Sequence, residues 1–122
     1  MTGGVEQFET IREEFPNVAN LAGKTNLRES AELISQSDLQ ISGCTALLHV
    51  SSTTNTPSVA IYGPTLPEQW APRKKCTVIT HRFSCSPCYN ISGNSICENN
   101  KCLKDISVDE VWAAIKNSLN LK

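Results

Sequence analysis

The sequence predicts an α/β fold, a parallel sheet with helices on both faces. Two observations carry this. The stretch from Leu39 to Pro64, LQISGCTALLHVSSTTNTPSVAIYGP, reads as a strand, helix, strand unit: apolar Leu39 and Ile41, then a helical segment carrying His49, then a strand from Ser58 to Tyr62 that Gly63-Pro64 stops. Around it the chain alternates helix, strand, helix, strand, helix, strand, loop, strand, loop, helix. Such alternation packs as a parallel sheet between two helical layers.

The elements follow from local chemistry. Gly3-Gly4, then Val5, Phe8, Ile11 and Phe15 at helical spacing, reads as the end of a loop feeding an amphipathic helix that Pro16 stops. A strand ought to precede that loop, so the sheet is expected to begin before the first residue, inside a larger domain that supplies its first strand or strands. Val18 to Leu21 reads as a short strand, with Gly23-Lys24-Thr25-Asn26 as the loop after it. Asn26 with Glu29 three positions on is a capping-box-like helix start, and Leu27, Ala31, Leu33 and Ile34 supply the apolar face. The next helix carries small residues, Ser51 and Ser52, that let it lie close to a sheet. It ends at Asn55-Thr56-Pro57, because Pro57 pushes Thr56 out of the helical region. Residues 63–72 hold three prolines and read as a structured loop; Cys76 to Thr80 is a last strand, and Cys76 a buried small residue. Ser107 caps a final helix with Glu110 three residues on, and Val108, Val111, Trp112, Ile115 and Leu119 are expected to face the core.

A chain of 122 residues is one domain's worth, and a formal net charge of −1 gives no footprint for nucleic acid or an anionic membrane. The expected partner is a small molecule. No apolar run approaches a membrane span, and the N-terminus lacks a signal peptide's basic and apolar regions, so the expected location is cytoplasmic.

Six cysteines is high for that location, and Cys85, Cys88, Cys97 and Cys102 fall in one segment, a long loop that needs something to order it. A two-residue gap lets Cys85 and Cys88 face one ion, so the four form a candidate structural zinc site; reduced thiols or disulfides are the competing readings.

In a parallel sheet the loop after each strand faces a ligand crevice, where the next helix begins with unpaired N–H groups that favour anions. Cys44, Thr45 and Ala46 sit at such a junction. Thr45 and the local amides suit a phosphate, and His49, four residues on, shares about the same helix face and suits a sugar or phosphate oxygen. The residue pattern alone favours a core histidine satisfied by a backbone carbonyl. Glu6 is placed to accept from a ribose, or is an ordinary first-turn glutamate. Trp70 and Arg73 read equally as lid or packing anchor, and His81 and Arg82 as a solvated pair. A Cys44 nucleophile paired with His49 is a further reading, with no orienting third residue to name. No Walker loop and no GxGxxG is present.

The run Leu21-Ala22-Gly23-Lys24-Thr25-Asn26-Leu27-Arg28-Glu29, then Ser37-Asp38-Leu39, Thr45 through His49, Thr56-Pro57 to Gly63-Pro64-Thr65, Cys85-Ser-Pro-Cys88-Tyr89 and Cys102-Leu-Lys-Asp-Ile-Ser107 together resemble the C-terminal half of glycosyltransferase family 9, the ADP-heptose lipopolysaccharide heptosyltransferases. The resemblance covers nearly the whole chain. It implies a GT-B enzyme of two Rossmann-like domains facing a cleft, the C-terminal one binding a nucleotide-sugar donor such as an ADP-sugar and the N-terminal one a glycolipid acceptor. No metal is implied for catalysis. Residues 1–122 are then a single Rossmann-like donor domain, with a Cys-rich loop at 85–102 and a C-terminal helix at about 107–119. Glu6 matches the acidic residue at the nucleoside end, Thr25 lies at a position lining the nucleotide pocket, and Thr45 and His49 match the Thr and His of an Asp-Thr-Gly-x-x-His signature. Cys44 stands where the family usually has Asp, and Ala46 where it has Gly. The general base is expected from the N-terminal domain, so this chain alone is expected to transfer no sugar. An inner-membrane periphery and a homodimer through an exposed sheet edge are further expectations. The alternatives are a degenerate binding or regulatory module, a zinc-stabilised interaction domain, and a Cys44/His49 thiol enzyme.

Overall fold

The computed structural model describes residues 14–88, 97 and 99–121. Two compact units divide the chain, Met1–Ser30 and Ala31–Lys122. In the first, the expected strand at Val18 to Leu21 is absent. Val18 N–H donates to the Phe15 carbonyl at 3.0 Å and the Leu21 carbonyl accepts from Lys24 N–H at 3.0 Å, so turns take the groups a ladder would need. The amphipathic helix expected before Pro16 lies mostly outside the described residues.

Helix α1 (Leu27–Ser35) begins as its sequence predicts. The Asn26 side-chain oxygen accepts from Arg28 N–H at 2.9 Å and Glu29 N–H at 3.0 Å, while a Glu29 carboxylate oxygen accepts from Asn26 N–H at 2.8 Å. The box satisfies orphan amides from both directions.

In the second unit, β1 (Gln40–Gly43), β2 (Ser58–Tyr62) and β3 (Cys76–Thr80) form a parallel sheet in the order β1-β2-β3, with Ile41 opposite Val59 and Ala60 opposite Val78. Between β1 and β2 runs α2 (Ala46–Thr54), which stops at Asn55 in the left-handed region (φ 63°). The one-turn helix α3 (Pro67–Trp70) lies in the segment expected to be loop, favoured there by Pro67 in its first turn. Another short helix, α4 (Lys101–Lys104), follows the cysteine segment, and α5 (Val108–Ser118) closes the chain.

Central strand β2 sorts its side chains to two cores, as strand alternation requires. Ala60 and Tyr62 pack with Leu48 of α2, against Ala71, Cys76 and Val78. Val59 packs on the other face with Ile79 and Ala114, against Leu39, Ile106, Val111 and Ile115. Helices therefore cover both faces. Ser51 is fully buried, and its hydroxyl donates to the Leu48 carbonyl at 2.6 Å, so α2 lies close to the sheet without an unpaired polar group. Buried Thr56 donates to the Ile34 carbonyl at 2.8 Å and so satisfies the end of α1.

The face of α5 follows expectation in part. Val111, Ala114 and Ile115 meet the sheet, whereas Val108 is 84% and Trp112 53% exposed. Small Ala114 sets the contact because it lets the helix backbone approach Val59 and Ile79. Among the described residues no helix is long and apolar enough to cross a membrane.

Candidate functional site

The carboxyl end of β1 delivers the chain to the N-terminus of α2, and a cavity of about 340 Å³ opens there, lined by Cys44, Thr45, Ala46, His49, Thr65 and Trp70. Thr45 occupies the cap position in extended conformation (φ −137°, ψ 165°), yet no side chain caps the helix. Its hydroxyl bonds Ser42 Oγ at 2.9 Å instead. Leu48 N–H donates to the Thr45 carbonyl at 3.2 Å, while the Ala46 and Leu47 amides are left to solvent or a ligand, and the first turn carries no acidic side chain to compete for them. An anion is the ligand this end of the helix favours.

His49 is exposed on the cavity wall, which corrects the core-histidine reading. The core position beside it is taken by Leu48, one residue away and so about 100° around the helix, which is fully buried. Cys44 is exposed and has the Tyr62 hydroxyl beneath it rather than His49. Tyr62 is fully buried, and its hydroxyl lies close to the Cys44 thiol without reaching good hydrogen-bond geometry. Burial, then the neighbouring Cys44 and Cys76 thiols, push its ionisation well above the ordinary phenol range.

The other sequence candidates separate. Thr25 belongs to the first unit, where its hydroxyl bonds Ser30 Oγ at 3.0 Å. Glu6 lies outside the described residues. Trp70, half exposed, lines the cavity, and α3, which carries it, is tied down by an ion pair between Glu68 and Arg82. His81 bonds both carboxylate oxygens of Glu110 at 3.0 Å, so neither His81 nor Arg82 belongs to a solvated pair with the other.

The zinc expectation finds no support in the structure. Among the described residues no three His, Cys, Asp or Glu side chains converge where a metal ion would sit. No disulfide joins the described cysteines either. Cys102 is buried against Gly63, Cys88 is held through its N–H to the Pro64 carbonyl at 3.1 Å, and Cys97 Sγ accepts from Asn100 N–H at 3.2 Å. Hydrogen bonds from the Asn100 and then Asn99 amides lower the Cys97 ionisation, while burial and then the Cys88 and Cys97 thiols raise that of Cys102.

A second cavity of about 430 Å³ shares Cys44 and Thr65 with the first and is otherwise lined by Gly43, Ile61, Gly63, Pro64 and Leu103. Thr65 was not among the candidates picked from the residues. The rule that selected Cys44 to Ala46 after β1 applies equally to the loop after β2, and would have found it.

Comparison with known proteins agrees with this arrangement. The family model for glycosyltransferase family 9 (heptosyltransferase) matches residues 2–96. A lipooligosaccharide heptosyltransferase 2 of Campylobacter jejuni is 28% identical over 116 residues, covering 93% of this chain and 36% of that protein. A lipooligosaccharide heptosyltransferase 2 of Haemophilus influenzae is 38% identical over 77 residues, 58% of this chain and 22% of its own length. The solved structure of Escherichia coli ADP-heptose lps heptosyltransferase II superposes with a TM-score of 0.66 at 28% identity, over 83% of this chain and 27% of that one. The chain spans only about a fifth to a third of these relatives' length. With a parallel α/β sheet, an uncapped helix N-terminus at its carboxyl edge and a family match over most of its residues, the chain belongs to glycosyltransferase family 9.

Proposed function

We infer that the chain is the nucleotide-sugar-binding part of a glycosyltransferase that uses an ADP-heptose-like donor and acts on a lipopolysaccharide or lipooligosaccharide acceptor at the cytoplasmic side of the membrane. The observation that carries this reading is the cavity at the start of α2, where uncapped amides, the Thr45 hydroxyl and the His49 imidazole line one wall. As the bond from sugar to diphosphate breaks, negative charge grows on the departing nucleoside diphosphate. Fixed N–H dipoles aimed at that charge stabilise it without reorganising.

Among the described residues no carboxylate lines this cavity; in this reading its residues hold the leaving group, and the base that deprotonates the acceptor hydroxyl comes from elsewhere in the whole enzyme. Cys44 and Ala46 shape the donor preference: a thiol is a weak acceptor for a sugar hydroxyl where a carboxylate would be strong, and the Ala46 methyl group narrows the approach to the helix.

Calorimetric titration with ADP, UDP and GDP tests this. ADP is expected to bind most tightly, and Thr45→Ala to weaken it about five- to tenfold, the worth of one hydrogen bond. Because the Thr45 hydroxyl does not cap α2, the variant's stability should change by less than about 0.5 kcal/mol. No nucleotide binding at millimolar concentration, or equal binding by Thr45→Ala, would refute the reading.

A further inference from the structure

Two side-chain hydroxyls at the end of β2 are enclosed and lack a hydrogen-bond partner among the described residues, Tyr62 Oη and Thr65 Oγ1. Both belong to the neighbourhood of Cys44: the Tyr62 hydroxyl lies beneath its thiol, and Thr65 shares with it the walls of the two cavities. We propose that the two cavities are lobes of one donor site, that the neutral sugar occupies the lobe walled by Ile61, Gly63, Pro64 and Leu103, and that Thr65 is the hydroxyl that bonds the donor where it passes from diphosphate to sugar. This rests on the donor-binding reading above and adds a subsite and a specificity residue to it.

Size and chemistry both point this way. Lobes of about 340 and 430 Å³ each fall at the small end of the range for ligand sites, and a nucleoside diphosphate sugar needs more room than either alone. The first lobe has the helix amides and His49, suited to phosphate. The second is walled by Gly43, Ile61, Gly63, Pro64 and Leu103, without a charged side chain, and suits a neutral ring that presents C–H groups. Phosphate oxygen or glycosidic oxygen, the atoms at the junction, are acceptors that a threonine hydroxyl can serve.

Thr65 is also held in place rather than carried on a loose loop. A Cβ on Gly63 would lie 2.7 Å from Leu103 Cγ and 3.2 Å from Cys102 Sγ, so α4 packs directly on the backbone there. The Ser86 hydroxyl donates to the Gly63 carbonyl at 3.1 Å, and Cys88 N–H to the Pro64 carbonyl at 3.1 Å. These contacts fix the chain two and one residues before Thr65, and a group fixed before the ligand arrives loses little freedom on binding.

The test is titration of the chain with ADP and with ADP-heptose, in the wild type and in Thr65→Val, Thr65→Ser and Leu103→Trp. ADP-heptose should bind more tightly than ADP. Thr65→Val should weaken ADP-heptose about tenfold while holding or raising the melting temperature, since it removes an unpaired hydroxyl; Thr65→Ser should restore the affinity. Leu103→Trp, which fills the second lobe, should leave ADP within about twofold and abolish the gain from the sugar. Failure of the wild type to bind ADP or ADP-heptose would remove the donor-binding reading and this proposal together. If ADP binds but ADP-heptose is no tighter, if Thr65→Val binds ADP-heptose as the wild type does, or if Leu103→Trp weakens both ligands equally, the proposal falls and the donor-binding reading stands.

Discussion

Tyr62 shows how one side chain can serve both the core and the site. Its ring fills the space between α2 and the sheet, and its hydroxyl comes up beneath Cys44, next to the ligand cavity. The folded protein keeps this phenol neutral far above the ordinary range, chiefly because it is buried. An unfolded chain ionises it at about pH 10. The sign of the linkage follows: the contribution to stability is complete below that pH and is lost as pH rises further, because only the unfolded state then releases the proton. Tyr62→Phe should therefore melt at nearly the wild-type temperature at pH 7 and lose less stability than the wild type above about pH 10. Thermal melts across that range check it, and parallel curves for the two proteins would contradict it. Thr45 and Ser42 make the complementary point. Their mutual hydrogen bond takes up the hydroxyl that the cap position leads one to expect on a helix amide, and the amides stay available. Cys44 and Ala46, the two departures from the family's signature, lie on the wall of that same cavity, where the proposed function has them shape donor choice.

At the scale of elements, what the sequence discloses depends on how local the deciding interaction is. Both helix caps were legible because three or four consecutive residues settle them: Asn26 and Glu29 close a full box, and Ser107 Oγ accepts from Glu110 N–H at 3.2 Å. In the second case the Glu110 carboxylate binds His81 instead of reaching back, a tertiary choice that no local pattern contains. Ser107→Ala should cost about 1 kcal/mol, seen as a lower denaturant midpoint with unchanged slope; an unaltered midpoint would show that the cap carries no stability. The three paired strands were legible from short apolar runs bounded by breakers. Val18 to Leu21 has the same composition, but a strand exists only with a ladder partner, and there turns bind its backbone. For α5 the period was right and the face partly so, with Val111 and Ile115 on the core as expected. Val108 and Trp112 lie outward because small Ala114, not the bulkiest residues, sets the approach to the sheet. Cysteine spacing in turn could not reveal whether four thiols converge, since that depends on where Gly63, Pro64 and Asn100 hold them.

For the molecule as a whole, the parallel sheet brings three loop ends to one edge, and the site is built from two of them. The loop after β1 gives the start of α2 with Thr45 and His49, where the proposed function seats an anion; the loop after β2 gives Thr65 and Trp70. The strand, helix, strand order made the first visible in the sequence. Thr65 was open to the same rule applied to the loop after β2, but the second cavity it lines was not, because Leu103 of α4 forms one of its walls. The central claim is that a nucleoside diphosphate seats its phosphates on the first turn of α2. Amide chemical-shift mapping of the chain during an ADP titration addresses it most directly. The account predicts that the largest saturable shifts fall on the amides from Cys44 to Leu47, with smaller ones at His49 and Thr65. Saturable shifts confined to other parts of the chain, with those amides unmoved, would contradict it.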